Sequence, residues 1–172
     1  LPGNPFAGAL IDSTQALELD TFPSSAVIIG AGAVALEFAS LWNAAGCEVT
    51  LLIRKERVLS AWERRTSVTL TRELKRRGVN VVTRTLVDHV ETGANLGATV
   101  HYRQNDAAEE QTVYGEVVLA AIGRAPNTDA DWFRSCGLRI DGHGYVDTDE
   151  FGRTNLDGVW ALGDITAGHA LA

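Results

Sequence analysis

Ser25-Ala26-Val27-Ile28-Ile29-Gly30-Ala31-Gly32-Ala33-Val34-Ala35-Leu36-Glu37, followed after ten residues by Glu48-Val49-Thr50-Leu51-Leu52-Ile53-Arg54, is the stretch on which the fold turns. The run to Ile29 is almost continuously apolar, as in a strand buried on both faces. From Ala33 to Ala45 apolar residues dominate all round, and Gly46 suits the position just past a helix end. Glu48–Ile53 is a second buried strand, so a strand, a turn, a helix and a strand fit within about 30 residues. The turn between the first strand and the helix reads G-x-G-x-x-A. Gly30 makes the tight bend, Gly32 lets backbone approach a pyrophosphate, and Ala35 packs helix against strand. Ala33 and Val34 open the helix, where amides and the helix dipole face phosphates. Within this frame the motif predicts a dinucleotide site rather than a structural glycine turn.

At the end of the second strand, NAD-binding units place an acid that accepts from the ribose 2′-hydroxyl. Here Ile53 stands there, followed by Arg54-Lys55-Glu56-Arg57. The acceptor is missing, and Arg54 and Arg57 offer guanidinium donors to a 2′-phosphate. This favours NADP(H) over NAD(H). A solvated basic loop is the plain alternative.

Working outward, Glu63–Arg77 is an amphipathic helix ended by Gly78, and residues 79–82 a third parallel strand. Residues 86–91, 98–102 and 111–114 then read as short antiparallel strands, with turns at Gly93-Ala94-Asn95 and Asn105-Asp106. Glu116–Ile122 is a last buried strand closed by Gly123. A loop-rich tail leads to an apolar strand, Gly158–Leu162, ending at Gly163-Asp164. Toward the N-terminus, residues 1–24 form a Pro- and Gly-rich linker with a short strand at Ala9–Ile11. A brief helix follows over Gln15–Leu19, capped by Asp12, Ser13 or Thr14. The expected architecture is α/β: a Rossmann-like parallel sheet with flanking helices and a three-stranded antiparallel β-meander.

The bulk properties set limits. A net charge of −7 gives no electrostatic footprint for nucleic acid or anionic lipid. No apolar run reaches the roughly 20 residues of a membrane span. No signal peptide opens the chain, so a cytoplasmic location is expected. Cys47 and Cys136 have no partner at redox or metal-ligand spacing, and both are expected to be buried thiols. His89, His101, His143 and His169 read as surface or strand histidines, and no metal site is expected.

Residues 25–57 resemble the second dinucleotide site of the pyridine nucleotide–disulfide oxidoreductases, the family of dihydrolipoamide dehydrogenase, glutathione reductase and mercuric reductase. Glu37 completes G-x-G-x-x-x-x-E, and the resemblance implies that it faces the nicotinamide carboxamide. Ala121-Ile122-Gly123-Arg124-Ala125-Pro126-Asn127 is similar to the A-x-G-R-x-P-N stretch beside the coenzyme, which assigns Gly123 and Arg124 to NAD(P). Thr154-Asn155 through Gly163-Asp164 resembles the second FAD motif, whose aspartate holds the ribityl chain; that assigns Gly163 and Asp164 to FAD.

The family's first FAD glycine motif, its C-x-x-x-x-C disulfide and its His–Glu pair are not in this sequence, and the chain lacks methionine. The resemblance therefore implies a piece of a longer, homodimeric flavoenzyme, with the linker in 1–24, the NAD(P)-binding domain in 25–150 and a return toward the FAD domain in 151–172. The remaining FAD and interface domains are its expected partners. In the parent, hydride passes between nicotinamide and FAD. By itself the chain should bind without turnover, with no catalytic residue of its own. Ala33 departs from members with an aromatic residue there, while Ala33–Glu37 is especially similar to mercuric reductase. Two rivals stay open: a stand-alone dinucleotide sensor, and a flavin oxidase or ferredoxin-type reductase without a redox disulfide.

Overall fold

A strand that is apolar on both faces needs a packed layer above it and another below. The computed structural model describes residues 6–93, 97–105 and 109–168. Its chain divides into two units, Leu1–Gly123 and Arg124–Ala172. The first unit satisfies that requirement with a five-stranded parallel sheet. The strands are β1 (Leu10–Ile11), β2 (Ser25–Ile29), β3 (Glu48–Leu52), β4 (Asn80–Val82) and β8 (Val117–Ala120), in the spatial order β1-β8-β2-β3-β4. A separate antiparallel sheet orders β5 (Thr85–Thr92), β6 (Ala98–Gln104) and β7 (Glu110–Gly115) in sequence, as the predicted meander.

The side chains of β2 divide between the two layers. Ala26 and Ile28 pack in a cluster with Ala35, Leu36, Phe38, Ala39 and Trp42 of α2 (Ala33–Ala44). Val27 and Ile29 pack instead with Val90, Val100 and Tyr102 of the meander. Trp42 is the bulkiest fully buried side chain, its ring 5.2 Å from that of Phe38. Truncating such a residue costs about 3–5 kcal/mol. Gly46 ends α2 at φ +92°, where Cys47 N–H donates to the Trp42 carbonyl. Glu63 caps α3 (Arg64–Arg76), accepting from the amides of Arg65 and Thr66 at 2.7 Å each. Asp12 caps α1 (Ser13–Leu17) through a reciprocal pair with Gln15, and the helix starts two residues before the predicted Gln15.

The second unit is built on turns. Asp141 accepts from the amides of His143 and Tyr145, and Asp149 from those of Phe151 and Arg153, at 2.8–2.9 Å. Its core holds Phe133, on the short helix α4 (Asp131–Ser135), together with Val146 and Thr128. Two expectations fail here. Residues 158–162 form no extended strand. Trp160 makes a single bridge to Arg153, while Leu162 is 82 % exposed, because no ladder partner lies alongside among the described residues. Cys136 is exposed at the end of α4, although Cys47 is buried as expected. Desolvation, reinforced by Glu116 and Glu48, pushes the Cys47 thiol up to about 11. The turn residues 94–95 and 106, and His169, lie outside the described residues.

Candidate dinucleotide site

The strand order reverses beside β2. The chain runs outward through β3 and β4, then returns to place β8 on the other side of β2. Open α/β sheets bind ligands outside the carboxyl ends of the strands at such a switch point. Gly30 follows β2 at this place and Ala121 follows β8. Gly30 adopts φ +141°, and a Cβ there would stand 2.2 Å from the Ala121 carbonyl oxygen. Only glycine lets the turn and the end of β8 approach so closely. Gly32 caps α2 with no side chain hydrogen-bonded to the helix end, and a Cβ on it would meet nothing within 4 Å. The first turn of α2 thus presents amides and an open backbone face, which fits a pyrophosphate. Ala35 is fully buried against the sheet, while Ala33 and Val34 are half-buried. Glu37 is exposed on α2, a little over one turn from its start.

The loop after β3 is fastened to this turn. Leu59, in the left-handed region at φ +45°, donates its N–H to the Ala31 carbonyl at 2.9 Å. From α3, the fully buried Ser67 hydroxyl donates to the carbonyls of Val58 and Leu59, and Thr71 Oγ1 accepts from the Val58 amide. Ser67 and Thr71 therefore hold the loop although no motif marks them; a hydroxyl within an amphipathic helix reads only as a polar position.

Ile53 is sealed at 0 % exposure in the core cluster that Ala31, Val34 and Leu59 border. Its buried side chain leaves the acid's place apolar. Arg54 is exposed and makes no hydrogen bond or ion pair with a described residue. Glu56, the acid of this loop, is engaged by Arg84. Arg57 is half-buried; one guanidinium nitrogen reaches the Ser60 carbonyl at 3.4 Å, and its Nε is buried without a partner. A buried donor lacking an acceptor is costly in a folded chain, and an anionic ligand would supply one.

In the second unit Arg124 donates to Asp164 Oδ2 at 2.9 Å. Gly163, at φ +80°, begins the one-turn 3-10 helix that carries Asp164.

The family model described as pyridine nucleotide-disulphide oxidoreductase matches residues 1–172. The chain belongs to this family. Among curated family members, the dihydrolipoyl dehydrogenase of Geobacillus stearothermophilus is 35 % identical over 172 residues, covering 100 % of this chain and 36 % of that protein. That of Chlamydia pneumoniae is 34 % identical, covering 99 % of this chain and 36 % of that protein. The solved Cu(II) complex of the HOCl-induced flavoprotein disulfide reductase RclA from Escherichia coli superposes with a TM-score of 0.83 at 26 % identity. It covers 99 % of this chain and 38 % of that one. The chain thus spans about a third of the length of the family members it matches. No helix among the described residues is long and apolar enough to cross a membrane.

Proposed function

We propose that this chain is the nicotinamide-dinucleotide-binding part of an FAD-dependent disulfide oxidoreductase, and that it holds NADP(H) in preference to NAD(H). The observation that carries the reading is the glycine turn at the switch point, open at Gly32, with the partnerless Nε of Arg57 on the loop that Leu59 fastens to Ala31. Bound nicotinamide would supply the hydride exchanged with flavin. The chain's own residues bind and orient. Gly30, Gly32, Ala33, Val34 and Ala35 receive the pyrophosphate, Arg57 and Arg54 take the 2′-phosphate, and Glu37 orients the carboxamide. Gly123 and Arg124 carry the A-x-G-R-x-P-N stretch that family resemblance assigns to NAD(P). Gly163 and Asp164 contribute to the flavin side, where the exposed Arg124–Asp164 pair, worth about 0–1 kcal/mol, yields readily to a ribityl hydroxyl. The remaining FAD and interface domains of a cytoplasmic, homodimeric enzyme complete the reaction, and the exposed apolar residues of 151–162 pack against them.

Calorimetric titration of the chain with both coenzymes tests the assignment. A charge-assisted hydrogen bond contributes about 1.5–3 kcal/mol, roughly a 10- to 150-fold preference, with the low end expected at a loop edge. NADPH should bind about tenfold tighter than NADH. Arg57→Ala should remove most of that advantage and leave NADH nearly unchanged, Arg54→Ala should remove less, and added salt should shrink the difference. Equal affinity for both coenzymes overturns the NADP(H) reading, and binding of neither overturns the site. The relatives named dihydrolipoyl dehydrogenase favour a dihydrolipoyl substrate for the whole enzyme as a second reading.

A further inference from the structure

The meander turns one face to the core and the other outward. On the outward face His89 of β5 and His101 of β6 are directly opposed across the ladder, their rings stacked at 4.1 Å and 14°. Glu91 stands two residues beyond His89. One carboxylate oxygen lies 3.5 Å from His89 Nε2 and the other 3.4 Å from His101 Nε2.

A bulge creates this juxtaposition, for the register of β5 against β6 shifts between Val87 and His89. Val87 and Val90 both pack toward the core. Strict alternation from Val87 would turn His89 inward and Val90 outward. The extra residue, Asp88, rephases the strand, so that His89 and Glu91 join His101 on the outer face.

The second ring nitrogen of His101 gives the cluster a direction. Nδ1 lies 2.9 Å from Glu110 Oε1. An ionised carboxylate only accepts, so a neutral His101 carries its hydrogen on Nδ1 and keeps a bare lone pair on Nε2. That Nε2 is buried and has no hydrogen-bond partner, on a side chain only 15 % exposed. Metal-bound histidines characteristically donate their other ring N–H to a carboxylate, which fixes the ring and raises its basicity.

We propose that His89, Glu91 and His101 hold a divalent transition-metal ion of the zinc class, with Glu110 orienting His101 and water completing the coordination. Metal–ligand bonds of about 2.0–2.1 Å in a tetrahedron put ligand atoms about 3.3 Å apart. Glu91 already stands near that separation from each imidazole, and the three ligand atoms lie within 4.8 Å of one another. Small side-chain rotations close the set. Two imidazoles with one carboxylate suit Zn²⁺, Cu²⁺ or Ni²⁺ rather than Mg²⁺ or Ca²⁺. The ion would clasp β5 to β6, and none of its ligands belongs to the dinucleotide site. No metal spacing shows along the chain because the histidines lie on different strands and the bulge that aligns them leaves no mark. The competing account is a proton: His101 charged and shared between Glu91 and Glu110.

Zinc titration by calorimetry at about pH 8, above the range of a free imidazole, separates the two. All proteins carry Cys136→Ser, so that the exposed thiol cannot compete. One Zn²⁺ per chain is expected, Co²⁺ should give the intense visible bands of a four-coordinate ion, and Mg²⁺ and Ca²⁺ should not compete. His89→Gln and His101→Gln should each abolish the bands, while His143→Gln and His169→Gln leave them intact. Glu110→Gln should weaken zinc by about 10- to 100-fold. Far-ultraviolet circular dichroism checks the fold of each variant. No saturable zinc binding, or binding that survives in the His89→Gln/His101→Gln double variant, overturns the proposal. Unchanged affinity in Glu110→Gln overturns the role given to Glu110.

Discussion

Gly30 and Gly32 are the same letter two positions apart, and the structure gives them opposite reasons. A methyl group on Gly30 would enter the Ala121 carbonyl, and backbone cannot step aside as a flexible side chain can. Gly30→Ala should therefore destabilise the chain by about 2 kcal/mol or more, from the strained φ and the forced separation of β2 from β8. Gly32→Ala meets open space and should cost about 1 kcal/mol or less, through poorer capping of α2, while weakening coenzyme binding. Urea midpoints of both variants decide the matter; equal midpoints would refute the distinction. The motif was legible as a spacing of glycines. The two roles were legible as well, Gly30 for the bend and Gly32 for the ligand; that the bend is held against Ala121 was not, because that residue lies far along the chain. At Ile53 the missing acid and the burial were both legible, but the packing of Leu59 against the same cluster was not.

At the level of elements, the two strands that meet at the switch point are also fastened at their other ends. Glu116, just before β8, accepts from both the amide and the hydroxyl of Ser24 at 2.7–2.8 Å, and its own amide donates to Ser25. The Ser24 hydroxyl, then the Ser24 amide, hold the Glu116 carboxyl below its ordinary value of 4.5. A depressed folded-state pKa contributes stability that is fully present above the unfolded value and is lost as pH falls through the folded one. The stability gap between the parent chain and Glu116→Gln should accordingly be constant above about pH 5.5 and narrow below about 4.5. Urea midpoints at several pH values measure it; a gap that widens in acid contradicts the clasp. Elements with a strong period or a glycine stop, such as α2 and α3, were legible in the sequence. Residues 158–162 misled because their apolar run describes burial, and a strand also needs a neighbour to pair with. The helix α4 was hidden because its Asp131–Ser135 turn is too short to show a period.

Across the whole molecule, apolar surface is unevenly covered. Trp132, Phe151, Trp160 and Leu162 of the second unit are 57–82 % exposed, while Phe133 and Val146 supply its small core. Exposed apolar patches on this scale mark interaction surfaces or aggregation liabilities. The isolated chain should bind a dye that fluoresces on apolar surfaces and self-associate as concentration rises, and Phe151→Lys with Leu162→Lys should suppress both. A silent dye with the parent chain would show that this surface is covered. The first unit carries a different liability, one of time. On the β8 side, β2 waits for a strand whose clasp residue, Glu116, lies 92 positions after Ser24. A ribosome adding about 5–20 residues per second needs roughly 5–20 s to cover that distance. Throughout that interval β2, apolar from Ala26 to Ile29, has an open hydrogen-bonding edge. The parallel order that creates the ligand cleft thus also makes the nascent chain a client for whatever shields unpaired strands during synthesis.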